Sequence, residues 1–129
     1  MSYDKYKKKT IKVLNDSVKW NIDRLPDNTL DMQLQKVIEE KIEAINTNTY
    51  TKLISELADV LIAIGGVERF DSIIAQDLFE SFILTLSKSI YMDVVDQAER
   101  KIKELYERTY IIIDGVYRHK EIKNDNVEK

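Results

Sequence analysis

The sequence predicts an all-α domain, an antiparallel bundle of four to five helices closed by a small C-terminal β-hairpin. Three observations predict it. Apolar residues recur at three- and four-residue spacing through successive stretches of the chain. One Pro and three Gly leave long helices uninterrupted. Near the C-terminus that spacing gives way to β-branched and aromatic runs around an Asp-Gly pair.

Tyr6, Thr10, Leu14 and Val18 mark the first helix, which should stop near Leu25-Pro26. Asp27-Asn28-Thr29 supplies cap-forming residues for a second helix, whose apolar stripe is Leu34, Ile38, Ile42 and Ile45. A short polar link, Asn46 to Thr51, leads to a third helix that begins around Tyr50 to Leu53 and is expected to end at Gly65-Gly66, since glycine tolerates the left-handed geometry beyond a helix end. So short a link favours antiparallel neighbours. Ile74, Leu78, Phe82 and Leu86, then Val94, Ala98, Ile102 and Leu105, fit one bent helix or two. Thr109 to Ile113, Asp114-Gly115 and Val116 to His119 read as the hairpin, near 109–120.

With 129 residues the chain is sized for one domain, spanning 1–122, followed by a charged, Asn-rich tail at 123–129 expected to be flexible. Its 43% hydrophobic and 33% charged residues fit a globular rather than a disordered chain. A net charge of -3 argues against a basic surface for a nucleic acid polymer. Without cysteine there is neither disulfide nor thiolate metal site. The polar, Lys-rich start lacks the apolar stretch of a signal peptide, and Leu57 to Val67, interrupted by Asp59, is too short to span a membrane. A cytoplasmic protein is the expectation.

The third helix carries the informative anomaly. Leu57, Ala58, Val60, Leu61, Ile62, Ala63 and Ile64 surround it, and a helix apolar all round is a buried one. Glu56 and Asp59 interrupt it one turn apart, on one face. Carboxylates withdrawn from water need a shared partner, which can be a metal ion, a basic side chain or a proton. The second helix carries Glu39, Glu40 and Glu43, a pattern that taken alone also describes a solvated acidic face. Carboxylate oxygens without His or Cys suit Mg²⁺ or Mn²⁺.

The string Gln33-Leu34-Gln35-Lys36-Val37-Ile38-Glu39-Glu40-Lys41-Ile42-Glu43, then Glu56-Leu57-Ala58-Asp59-Val60-Leu61, resembles the MazG-like all-α nucleoside triphosphate pyrophosphatases, whose signature is E-E-x-x-E followed by E-x-x-D. The resemblance covers the second and third helices closely. It implies that Glu40, Glu43, Glu56 and Asp59 ligate Mg²⁺, and that Glu39 supports the site by orienting or deprotonating water. The implied reaction is attack of water on the α-phosphorus of a nucleoside triphosphate, releasing monophosphate and pyrophosphate. Family members carry a Lys and then an Asn-Arg pair on the last long helix. Lys103 and Arg108 occupy that place here, with Glu107 where Asn is expected.

Phosphate charge must be met by cations. Lys36, one turn before Glu40, can reach a phosphate or pair with Glu40 itself. Trp20, next to Asn21, can stack on a base or pack at a helix end; Tyr110 and Tyr117 are expected to pack in the hairpin. His119 stands in a basic strand end or serves as a clamp. No Glu-x-x-His pair supports a di-iron site, no nucleophile motif is present, and no Gly-Lys-Ser/Thr follows the paired glycines. A homodimer or dimer of dimers is expected, because a helix buried on every side asks for more neighbours than so short a chain easily supplies. The competing reading is a non-catalytic helical interaction protein whose acidic faces are solvated or paired with Lys and Arg.

Overall fold

The computed structural model describes residues 3–114 and 116–120, with side chains for 6–114 and 116–118. The tail at 123–129 and the side chain of His119 lie outside these. Five helices precede a hairpin: α1 Tyr3–Arg24, α2 Leu30–Ile45, α3 Tyr50–Val67, α4 Ser72–Leu84, α5 Lys88–Leu105, β1 Thr109–Ile113 and β2 Val116–Lys120. The all-α bundle with a two-stranded antiparallel sheet at its C-terminal end is thus the architecture observed.

Local chemistry sets the helix starts. Thr29 caps α2 and Thr49 caps α3, each hydroxyl accepting from the backbone N–H three residues on at 3.2 Å. Asp71 Oδ1 accepts from Ile73 and Ile74 at 3.0 Å, and Ser87 accepts from Ile90 at 3.3 Å. The cap at Ser87 divides α4 from α5, so the long apolar pattern forms two helices rather than one bent helix.

The core is organised around α3, with α1, α2, α4 and α5 packed on it. Ala58, Val60, Leu61, Ile64 and Val67 are at most 1% exposed. Leu61 and Ile64 each contribute roughly 1.5–3 kcal/mol by that burial. One chain therefore buries α3 on every side over residues 60–67, and the girth of this helix no longer argues for a second subunit.

Two expectations are corrected. Gly65 and Gly66 do not end α3, which runs through both to Val67. They are glycine because of close approach: a Cβ at Gly65 would stand 2.7 Å from Ser17 Cβ on α1, and one at Gly66 2.5 Å from Gln33 Nε2 on α2. The second correction concerns α2. Its isoleucine stripe faces outward, with Ile38, Ile42 and Ile45 exposed by 51%, 52% and 79%. The helix buries Gln33, Val37 and Ala44 instead. Glu40 lies on that inner side, so the rotation of α2 brings Glu40 against α3.

Gln33 belongs to a buried amide network. Asn21 and Asn28 donate to its Oε1 at 3.0 and 2.7 Å, and its Nε2 donates to Ala63 O at 2.8 Å. Arg69 donates to Asn21 Oδ1 and to Leu25 O, fixing the α1–α2 loop. The hairpin reverses between Ile113 and Val116, with Asp114 at φ 52. Tyr117 is buried, and its hydroxyl accepts from Asp27 N at 3.0 Å, tying the hairpin to the same loop. No helix among the described residues is long and apolar enough to cross a membrane.

Candidate metal centre

Antiparallel packing of α2 on α3 faces Glu40 and Glu43 toward Glu56 and Asp59. Carboxylate oxygens of Glu40, Glu43 and Glu56 lie within 4.8 Å of one another. Two ionised carboxylates at that range repel by about 3 kcal/mol at an effective dielectric constant of about 20.

The proton affinities record this crowding. The Glu40 side chain is only 12% exposed, and its pKa is pushed up to about 7. Burial is the chief cause; Lys36 opposes it from 3.5 Å, and the charges of Asp59, Glu43 and Glu56 reinforce it. The Glu56 carboxyl is also raised, first by burial and then by Asp59 and Glu43, with Lys101 opposing. Glu56 Oε2 is buried without a hydrogen-bond partner among the described residues. An orphaned carboxylate oxygen beside two further carboxylates fits a small oxygen-seeking cation, and the all-carboxylate donor set fits Mg²⁺ or Mn²⁺.

Asp59 stands apart from those three. Its Oδ1 accepts from Lys101 Nζ at 2.9 Å, and the same ammonium donates to Ser55 O at 3.0 Å. Asp59 can serve as a fourth ligand through its other oxygen, Oδ2, while Lys101 holds Oδ1, or by exchanging Lys101. The sequence reading missed Lys101, although a signal exists: it lies three residues after Ala98 and four before Leu105, on the flank of the buried α5 stripe. Lys103 is exposed and turned away; it lines a separate shallow depression with Lys12, Asp16 and Tyr106.

Glu39 faces a different side of α2 from the cluster. Arg118 of β2 grips it with both terminal guanidinium nitrogens, Nη2 donating to Oε2 at 2.8 Å. That hydrogen bonding holds the Glu39 carboxyl below the usual range, so proton acceptance by Glu39 is weak while Arg118 is in place. Lys36 forms the i,i+4 ion pair with Glu40.

A cavity of about 60 Å³ opens beside the carboxylates, with Glu40, Asp59 and Lys36 on one wall. Trp20 and Tyr110 form another wall, in edge-to-face contact at 5.2 Å between ring centroids. Trp20 Nε1 is buried with no hydrogen-bond partner among the described residues. Asn21, Asn28 and Gln33 bring their amides to the same cavity. Arg108 acts on Tyr110, whose hydroxyl pKa is raised mainly by burial. The structure thus gathers Trp20, Lys36, Glu40 and Asp59 around one cavity, with Glu43 and Glu56 adjoining, and leaves Glu39 and Lys103 on other surfaces. Comparison with protein-family models, with curated proteins and with solved structures found no match.

Proposed function

We propose that this chain hydrolyses a nucleoside triphosphate to the monophosphate and pyrophosphate, with Mg²⁺ held by Glu40, Glu43, Glu56 and Asp59 and Mn²⁺ as a substitute. The observation that carries the reading is the Glu40–Glu43–Glu56 cluster, half-sunk between two helices, with one Glu56 oxygen left without a donor among the described residues. A merely solvated acidic face would leave Glu40 and Glu56 in water, as Glu43 is. The resemblance of the E-E-x-x-E and E-x-x-D strings to MazG-like pyrophosphatases supports the same reading.

In the proposed reaction the oxygen of water bonds to the α-phosphorus, the bond from that phosphorus to the bridging oxygen of the leaving pyrophosphate breaks, and the proton lost by the water passes to solvent. When bound, Mg²⁺ supplies neutralising charge for the triphosphate and acidifies coordinated water. Lys36 and Lys101, held at the edges of the cluster by Glu40 and Asp59, are cations placed to meet incoming phosphate oxygens. The cavity beside them is the lodging for the nucleoside, where Trp20 Nε1 seeks an acceptor. At about 60 Å³ it holds a few waters, so a base enters only as the hairpin carrying Tyr110 and Tyr117 moves outward. Arg108 acts through Tyr110 on that wall. Glu39 joins the chemistry only on release from Arg118.

Calorimetric titration with Mg²⁺ and Mn²⁺, together with pyrophosphate release from a panel of nucleotides, tests the proposal. Unchanged binding and turnover in Asp59→Asn and Glu56→Gln would overturn it. A second reading, a non-catalytic interaction protein that self-associates as a dimer or dimer of dimers, is favoured by the outward isoleucines of α2. It predicts no metal dependence.

A further inference from the structure

β1 is an edge strand without the usual protections. Its sequence, Thr109-Tyr110-Ile111-Ile112-Ile113, contains no charge and no proline. Ile111, Ile112 and Ile113 are exposed by 39%, 47% and 45%, so both faces of the strand show isoleucine to water. Among the described residues β2 packs along α2 and grips Glu39 through Arg118, whereas β1 is held chiefly by β2, with Tyr110 touching Trp20 of α1. The two-residue reversal makes Ile113–Val116 a hydrogen-bonded pair, and alternation then directs the backbone groups of Ile112 away from β2. The open edge is therefore a template for another strand.

The flanking charges say which strand. Arg108 and Asp114 lie three residues to either side of Ile111, and neither is in an ion pair with a described residue. An antiparallel copy of the same segment, centred on Ile111, sets Arg108 opposite the partner subunit's Asp114 at both ends. It also sets Tyr110 opposite the partner subunit's Ile112. Parallel pairing would oppose Arg108 to its own copy. The chain's C-terminal residues, Lys123 to Lys129, are charged and Asn-rich and offer no apolar match to three isoleucines.

We infer that β1 pairs antiparallel with β1 of a second copy about a two-fold axis at Ile111, joining two hairpins into one four-stranded sheet. Covered isoleucines, edge hydrogen bonds and two charge pairs of opposite sign hold it. Because β1 carries Tyr110, the same pairing braces one wall of the cavity described above. The inference stands apart from the nucleotide reading, since it concerns assembly alone.

The chain has no cysteine, which makes a single thiol diagnostic. In this register Ile111 meets its own copy at a non-hydrogen-bonded position, with Cα atoms about 4.5 Å apart, inside disulfide reach. Ile113 and its copy lie four residues apart along the strands, roughly 13 Å, beyond that reach. Under mild oxidation Ile111→Cys should become a covalent dimer at least about tenfold faster than Ile113→Cys, the geometry deciding the difference. Sedimentation over a concentration series should give a dimer for the unsubstituted chain and a monomer for Ile111→Lys, which opposes two ammonium groups. Circular dichroism should give both chains the same helical content, since Ile111 is exposed. A chain that is monomeric throughout overturns the inference, as does equal crosslinking of the two thiol variants or an intact Ile111→Lys dimer.

Discussion

Replacing Glu40 by glutamine keeps the shape of the side chain and removes its charge. The unfolded chain titrates at the ordinary value of 4.5, while the folded protein titrates at about 7. Between those values the folded state holds the proton more often than the unfolded state, so stability falls as pH rises from about 4.5 and the loss is complete above about 7. The pKa difference of about 2.5, at about 1.4 kcal/mol for each unit, gives a cost near 3 kcal/mol at pH 8, as an order of magnitude. Glutamine escapes that cost. Without divalent metal, Glu40→Gln should therefore be more stable than the unsubstituted chain at pH 8, by up to about 3 kcal/mol, with the two nearly equal near pH 4.5. In a domain of this size that is a gain of up to about 10 °C or more in melting temperature.

Urea denaturation at the two pH values measures it, and the same titrations with Mg²⁺ present supply the second half. Metal bound to the folded state alone stabilises by mass action. That increment should be large for the unsubstituted chain at pH 8, smaller at low pH where a proton competes, and much reduced in Glu40→Gln. A metal-free Glu40→Gln no more stable at pH 8 than the unsubstituted chain, or a gain of the same size at both pH values, would refute the reasoning.

Asp59→Asn and Glu56→Gln should each weaken Mg²⁺ binding in calorimetry by more than the roughly 10–100-fold typical of changes in groups that only support a ligand. Gly65→Ala should lower stability in thermal unfolding: forcing a methyl to 2.7 Å from Ser17 Cβ overpacks the α1–α3 contact, at about 1–3 kcal/mol, against up to about 1 kcal/mol gained in helix propensity. Arg118→Ala removes the partner of Glu39, whose depressed pKa contributes stability above the ordinary carboxylate range that is lost as pH falls through the lowered value. The pair is partly exposed, with Arg118 at 39%, so a screened cost of about 1 kcal/mol is expected near neutral pH, fading in acid.

The fold was legible where local chemistry decides it. Thr29 and the β-branched and aromatic runs around Asp114-Gly115 mark their elements without help from the rest of the chain, and the Val94–Ala98–Ile102–Leu105 stripe is buried as its spacing requires. The rotation of α2 was not legible. Apolar periodicity assigns Ile38, Ile42 and Ile45 to the core, but the buried side of α2 carries Gln33 and Glu40, whose partners come from α1, α3 and the α1–α2 loop. A single helix sequence cannot announce distant partners that make a polar face buriable. The same limit hid Lys101, which is ordinary on α5 until α3 brings Asp59 against it, and it misassigned Gly65-Gly66, where close approach of Ser17 and Gln33 rather than a turn demands glycine.

These departures share one cause. Each arises where another helix meets α3: α2 and α5 along the side that holds the carboxylates, and α1 at Gly65, where Ser17 approaches. Each sets a polar or absent side chain where packing alone would prefer an apolar one. Local consistency breaks at sites that do something other than fold. An apolar residue at Glu40 would remove a charge that costs stability above pH 7, and turning the isoleucines inward would bury more carbon. The folded chain does neither. It holds Glu40 and Glu56 in a repulsive group with an unsatisfied oxygen, an arrangement a bound cation would relieve and a solvated acidic face would never incur.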